Sequence, residues 1–535
     1  MTTVDAVVVG AGHNGLVAAN LLADAGWDVV VLEATGTVGG AVRSAELTAP
    51  GYLSDVFSAF YPLGAASPVL RALALEEYGL RWVHAPHVLV HLLPDGRAAV
   101  LDRDVDATAA SVEAFAAGDG DRWRAEYDRW RRIGERLLHA MLGPFPPVRH
   151  GAALAATLRV AGALRLARLF LSSAQAYGEE TFRGDGARLL VAGLALHTDL
   201  SPADAGSAAY GWLLAMLGQQ YGFPVPSGGA ARLVDALAAR LAARGGEVVT
   251  GAPVDRVVVG HGRALGVRCV DGRAWRARRA VLADVPAPVL YRDLVGEAHL
   301  PARLVDDLCR FRWDHATLKV DWALSAPVPW RAPAARGAGT LHLSADMGDM
   351  LTFSAALAAH RVPDRPYLLA GQMTTSDPAR SPAGTESMWA YTHLPHRDGG
   401  WPADVIAEQV DRVEAVVEAQ APGFRDLVVG RHVLAPGDLA AANPSLVGGA
   451  INGGTAAPYQ QLVFRPVPGL GRPDTPVDRL YLAGSAAHPG GGVHGAAGAN
   501  AARAALARSR PLAGDAYAAV VRAAQAAIYA SGALP

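Results

Sequence analysis

The stretch from Val4 to Glu33 leaves the N-terminal part of this chain little choice of fold. Val4 to Val9 reads as a short, β-branched strand and Gly10-Ala11-Gly12-His13-Asn14-Gly15 as a turn. Leu16 to Ala25 has the apolar spacing of a helix, and Val29 to Leu32 reads as a second strand. Gly26 stands just past the helix as its C-cap, and Glu33 closes the second strand. Both strands are apolar throughout, as parallel strands covered on two faces must be. A β-α-β unit with glycines in these places binds a dinucleotide. Gly10 makes the tight turn, Gly12 lets a pyrophosphate approach the backbone, and Gly15 lets the helix pack on the strand. The positive helix N-terminus faces the anion. Glu33 accepts from ribose hydroxyls and disfavours a 2′-phosphate. A bare GxGxxG is weak evidence. Here a strand precedes it, a helix follows, and the acidic partner stands where the motif needs it.

The next residues separate two kinds of dinucleotide. Glu33 is followed by Ala34 and, after a short turn, by Gly39-Gly40-Ala41-Val42-Arg43. A diglycine beyond the ribose carboxylate with a basic residue after it points to FAD. The glycines let the chain pass close to the cofactor, and Arg43 supplies charge near the flavin or its phosphates. A third string, Leu482 to Gly498, is too rich in glycine to pack a core. It suits wrapping a flat ring, with the following helix aiming its N-terminus at charge developing on the flavin. The cofactor-binding positions expected from these strings are Gly10, Ala11, Gly12, Asn14, Gly15, Glu33, Ala34, Gly39, Gly40, Ala41, Arg43, Gly484, Ser485, Gly492 and Val493.

Together with Pro226-Ser227-Gly228-Gly229, Asn452-Gly453-Gly454 and Arg465-Pro466, these strings resemble the phytoene desaturase and carotenoid isomerase group of FAD-dependent oxidoreductases. Within it they most resemble the branch called pyridine nucleotide-disulphide oxidoreductase domain-containing protein 2. The resemblance is close over residues 4–62, 221–300 and 440–508 and loose elsewhere. It implies an α/β fold of the glutathione-reductase class, with non-covalent FAD in a Rossmann-type domain and a second, mixed α+β substrate domain built from insertions. It also implies that backbone atoms of Val254 lie by the adenine. The resemblance departs at Ser485, where many relatives carry an acidic residue that contacts the ribityl chain.

Texture along the chain places the FAD-binding domain at 1–85, 221–300 and 431–535, and the substrate domain, with a helical insertion, at 86–220 and 301–430. At 535 residues there is room for about two large or three ordinary domains. Hydrophobic residues at 51% and a net charge of −2 fit a large core and exclude a bulk electrostatic case for nucleic acid. Cys269 and Cys309, the two cysteines, form no C-x-x-C pair, which excludes a dithiol redox centre, a Cys-rich zinc site and a disulfide framework. The 17 histidines are scattered, and no metal site is expected. Gly260-His261-Gly262-Arg263 sits between two strands and reads as a hairpin, so no separate NADPH domain is expected, and oxygen, a quinone or another acceptor is expected to take the flavin's electrons.

Candidate catalytic groups are His494, in the flavin-wrapping loop, as a base or a substrate hydrogen bonder, and Tyr61, with Ser58 beside it, after the diglycine. His488 is a weaker candidate. Arg465 is the one arginine suited to hold a substrate carboxylate. The apolar stretch Gly151 to Leu171 reads as core packing in the helical insertion, with peripheral membrane contact as the rival. The N-terminus shows no signal peptide and no run reaches transmembrane length, so a cytoplasmic or membrane-peripheral protein is expected. The functional expectation is desaturation of a small, largely apolar, isoprenoid- or carotenoid-like substrate, with hydride passing to flavin N5. The alternatives are an amine or amino-acid oxidase, a redox-neutral isomerase, and a non-catalytic regulatory flavoprotein.

Overall fold

The computed structural model describes residues 2–343 and 346–530. Two seven-stranded sheets organise them. The first runs Val254–Gly260, Arg263–Cys269, Ala274–Ala283, Thr2–Val9, Val29–Leu32, Glu247–Val249, with Leu480–Leu482 beside the end of Ala274–Ala283. Thr2–Val9 pairs in parallel with both Val29–Leu32 and Ala274–Ala283, so Val9 lies level with Leu32 and with Ala283. Ala283 in turn is level with Leu482. Gly10, Glu33 and Asp284, which follow three of these strand ends, and Gly484, two residues past the fourth, therefore meet at one edge, where a doubly wound sheet binds its ligand. The hairpin expected at 260–263 is present: Val254–Gly260 and Arg263–Cys269 are antiparallel, and His261 and Gly262 both take the positive φ of a tight hairpin turn.

The second sheet runs Val428–Leu434, Ala316–Leu324, Glu386–Leu394, Leu368–Gln372, Ala338–Leu343, His87–Leu92, Ala98–Leu101. Side chains alternate between its faces. Leu318, Val320, Trp322, Met388 and Ala390 pack against Val410, Val413 and Val417 of the helix Ala403–Gln420. The opposite face is polar and aromatic and looks toward the first domain. The strands of this sheet come from 86–101 and 316–434, and the six helices from Val105–Glu113 to Ser207–Tyr221 form the helical insertion. Two expected boundaries move. Val428–Leu434 crosses 430/431 and belongs to the second sheet, because its pairing with Ala316–Leu324 decides its place. Ala302–Leu308 packs Leu304 and Leu308 into the core of the first sheet.

The segment 151–171 differs most from expectation. It lies in the helix Val148–Leu171, which breaks at Arg159, and only Leu166 and Leu169 are buried. Core packing holds for one face only: Leu166 and Leu169 enter the main core, with Leu154, Leu158 and Phe170 packed against it. Beyond the break, Val160, Leu164 and Leu171 are 77%, 67% and 68% exposed. At 100° per residue they fall within about 40° of one another and form one apolar stripe.

A buried ion cluster ties the two domains together. Arg380 donates to Asp55 Oδ1 at 2.8 Å, to Asp377 Oδ2 at 3.0 Å and to the Pro226 carbonyl at 3.1 Å. The same two carboxylates accept the backbone N–H groups of Ala230 and Gly228. The Pro226-Ser227-Gly228-Gly229 string is thus a junction, and Gly229, at φ +114°, has no space for a Cβ against Ser44 Oγ. Removing one partner of such a cluster strands the others. Arg380→Met is expected to lower stability by about 3–5 kcal/mol in denaturant titrations. A loss below about 1 kcal/mol would contradict this account of the junction.

Candidate functional site

The site is built where the parallel strands end. The helix His13–Asp24 starts directly after the glycine turn, and its N-cap residue Gly12 offers no side chain to cap it. A Cβ on Gly15 would stand 2.1 Å from the Gly10 carbonyl oxygen, so the third glycine is fixed by helix-on-strand contact. Gly39 donates its N–H to the Ala11 carbonyl at 2.9 Å, and a Cβ on Gly40 would lie 3.2 Å from Gly12 Cα. The diglycine thus closes directly onto the fingerprint turn. From the other side, Gly498 in the helix Ala496–Arg508 packs so closely that a Cβ would lie 1.9 Å from the Asn14 carbonyl oxygen.

Glu33 is buried. It accepts the Ala11 N–H at Oε2 (2.9 Å), and the Thr35 N–H and hydroxyl at Oε1 (2.9 and 2.8 Å). The Ala252 N–H donates to the Glu33 carbonyl at 2.8 Å, which brings Pro253 and Val254 alongside Glu33 and Ala34. Arg43 donates to the carbonyls of Gly40 (3.0 Å) and Ala442 (2.6 Å), and its guanidinium lies 4.9 Å from the Phe57 ring centre. It joins the diglycine to the C-terminal segment. Burial lowers its pKa, and Glu33 opposes that.

Asp284 belongs to no motif of the sequence. It follows the short strand Val281-Leu282-Ala283, and the signal was an acidic residue at the end of a buried strand. Its N–H donates to the Val9 carbonyl, and its Oδ2 accepts the Gly15 N–H at 2.8 Å. A carboxylate from a distant strand therefore caps the helix that Gly12 leaves uncapped. Burial pushes its pKa up to about 7, the Gly15 bond opposing and Glu33 adding to the rise.

The C-terminal loop from Gly484 to Gly495 lies across this edge, with Gly492 exposed and Val493 half-buried. His494 does not present a free base. Its Nδ1 accepts the Ala496 N–H at 3.0 Å, which leaves the proton on Nε2, directed at the carbonyls of Gly490 and Gly491. Burial, with His13 nearby, holds its pKa down at about 3. It shapes the loop as a neutral ring. Tyr61 is likewise turned inward: its hydroxyl donates to the Ser58 carbonyl at 2.8 Å and lies 2.9 Å from Ser58 Oγ. Burial, with Asp55 adding, raises its pKa well above the usual value. Arg465 is buried with its guanidinium bonded to the carbonyls of Asn452, Gly453, Thr455 and Ser485, which leaves it no role as a carboxylate clamp. Asp314 holds the same loop through the N–H groups of Ile451, Asn452 and Gly454. His488 is buried, its pKa lowered to about 4 chiefly by desolvation.

The polar face of the second sheet was also illegible in advance. Register places Thr317 opposite His393, Lys319 opposite Tyr391 and Asp321 opposite Trp389. Lys319, the chain's single lysine, is buried between the Asp321 carboxylate (2.5 and 2.6 Å) and the Asp55 carbonyl (3.1 Å). Trp389 and Tyr391 stack with ring centres 5.8 Å apart, and Phe60 lies 6.0 Å from Trp389. His197, His342 and His91 form a chain of imidazoles at 2.9 and 3.3 Å. Burial keeps His197, His342 and His393 neutral. Among the described residues no group of three His, Cys, Asp or Glu is arranged to hold a metal ion.

Residues 15–412 match the family model described as flavin containing amine oxidoreductase. The rat pyridine nucleotide-disulfide oxidoreductase domain-containing protein 2 is 30% identical, over 93% of this chain and 92% of that protein. A neurosporene-forming phytoene desaturase of Cereibacter sphaeroides is 25% identical over 95% of each. In structure the chain resembles cyclohexylamine oxidase from Brevibacterium oxydans, with a TM-score of 0.57, 18% identity, and 94% and 98% of the two chains covered. That likeness shows the α/β fold with its Rossmann-type FAD domain. The cofactor is FAD, and the residues fit it. His13 Nε2 and both polar atoms of the Asn14 amide are buried at the pyrophosphate turn with no partner among the described residues, and buried polar groups of native proteins are rarely left so. Gly12 and Gly40 leave no Cβ in its way. Glu33→Ala is expected to weaken FAD binding roughly tenfold to a hundredfold, because it removes the ribose acceptor and leaves the Ala11 N–H unbonded. Titration of flavin fluorescence reads this, and an unchanged dissociation constant would contradict the assignment of Glu33.

Proposed function

The chain belongs to the flavin-containing amine oxidoreductase family, and from that premise we propose that it dehydrogenates a largely apolar, isoprenoid-like substrate across a C–C bond. FAD supplies the hydride acceptor, flavin N5, and oxygen or a quinone takes the electrons onward. Two curated relatives bear on the reaction class. One is the phytoene desaturase noted above. The other is a limonene dehydrogenase polypeptide of Castellaniella defragrans, 25% identical over 93% of this chain and 94% of its own length.

The observation that carries the reading is the second-sheet face bearing Lys319, Trp389 and Tyr391, which meets Asp55 and Phe60 of the segment after the diglycine. It offers stacked rings and neutral imidazoles, and its one ammonium is closed by Asp321. A hydrocarbon chain lies against such a wall without stranding a charge. Arg465, committed to backbone carbonyls, argues against an amino-acid carboxylate. A second reading has one observation in its favour: the stacked pair Trp389 and Tyr391 also suits an amine cation held over a ring.

The apolar stripe of Val160, Leu164 and Leu171 supports a surface contact with a lipid bilayer, from which an apolar substrate enters. Among the described residues no helix is long and apolar enough to cross a membrane.

Two measurements test these readings. Incubation with C10 to C40 isoprenoids and an added quinone is expected to yield products lighter by two hydrogens, read by mass spectrometry. Aldehyde and peroxide from primary amines, with no change in any isoprenoid, would overturn desaturation in favour of amine oxidation. In flotation with anionic vesicles, the protein is expected to rise with the lipid, and Val160→Glu with Leu164→Glu to leave it at the bottom. Wild type that never floats would sink the membrane contact.

A further inference from the structure

Four glycines of the cofactor edge converge on one side chain. A Cβ on Gly12 would lie 2.6 Å from Asp284 Oδ2, and one on Gly484 2.8 Å from Oδ1. A Cβ on Gly15 would lie 3.2 Å from both Cβ and Oδ2 of Asp284, and one on Gly10 2.7 Å from its carbonyl oxygen. The glycines that let a pyrophosphate approach therefore also make room for this carboxylate. Its Oδ2 bonds the Gly15 N–H, so it already draws on the helix N-terminus that a pyrophosphate needs. Two anions at one helix end repel, and the one able to take a proton does so.

We propose that Asp284 is a proton-linked member of the cofactor site: FAD binds with Asp284 protonated, and a protein whose Asp284 is ionised takes up one proton as FAD binds. The balance is simple. One proton moves from solvent to an Asp284 carboxylate oxygen, no other bond changes, and the protein's own charge at the site rises by one, offsetting part of the negative charge that the pyrophosphate brings.

The surroundings set the sign. Glu33, at the end of the neighbouring strand, presents a second negative charge to Asp284. His13, from the helix, and His494, from the C-terminal loop, are held neutral by burial, with pKa values lowered to about 4 and about 3. Arg43 is turned to the Gly40 and Ala442 carbonyls, and Asp284 forms no ion pair among the described residues. With its pKa raised to about 7, Asp284 is neutral below that pH and ionised above it in the protein without FAD. Binding of the neutral form is then full below about pH 7 and falls as pH rises, by up to about tenfold per pH unit.

The inference rests on FAD as the cofactor and is independent of the substrate. FAD is titrated into the full-length chain, freed of flavin, from pH 6 to 9, following flavin fluorescence. Calorimetry at pH 8 in two buffers of different ionisation enthalpy counts the protons taken up. Wild type is expected to lose affinity about tenfold per unit above pH 7 and to take up about one proton at pH 8. Asp284→Asn is expected to give a flat profile and no uptake. A flat wild-type profile, or a slope kept by Asp284→Asn, would overturn the proposal and leave the desaturation reading, tested by product mass, standing. Should Asp284→Asn not fold, the wild-type proton count decides, and zero uptake overturns the proposal.

Discussion

A Cβ on Gly498 would meet the Asn14 carbonyl oxygen at 1.9 Å, and one on Gly15 would meet that of Gly10 at 2.1 Å. These two contacts set how closely the helices His13–Asp24 and Ala496–Arg508 and the strand Thr2–Val9 can approach. Dense packing of backbone on backbone is possible only where side chains are missing. Once it is made, the glycine turn, the diglycine at 39–40 and the C-terminal loop share one edge. Residues from both ends of the chain then form one dinucleotide site.

The second domain shares an apolar core with the first, Leu89 and Leu369 lying in the same cluster as Leu16 and Val31, and buried charges add directional ties to that edge. Arg380, Asp55 and Asp377 are buried together and bond the backbone of the 226–230 junction. Asp55 also carries the carbonyl that Lys319 reaches. The segment after the diglycine is thus tied both to the FAD domain and to the second sheet. Arg465 and Asp314 do the same for the loop at 451–455, from opposite polarities. Buried charges in this chain organise loops, and the chemistry is left to the cofactor.

What could be read in advance was local. Gly10 to Gly15 and Glu33 act within one β-α-β unit, so spacing alone identified the dinucleotide turn. The hairpin at 260–263 was equally local, and its glycine and positive-φ histidine mark it. Asp284 could not be found this way. Its meaning depends on Ala283 lying level with Val9, a pairing between residues far apart in the chain. Residue type alone suggests chemistry for His494, Tyr61 and Arg465. Their hydrogen bonds to backbone, visible only in three dimensions, give them structural work. Apolar composition points to core for the helix Val148–Leu171, which holds for the face of Leu166 and Leu169, but composition cannot say that the face of Val160 and Leu164 lacks a partner. The face with Lys319, Tyr391 and His393 depends on strand register, which a single sequence does not report.

The most direct test of a working flavin site is the absorption spectrum of the purified full-length protein during anaerobic photoreduction and then on exposure to air. The account predicts a flavin band that bleaches and returns. A colourless protein that takes up no added FAD would contradict it.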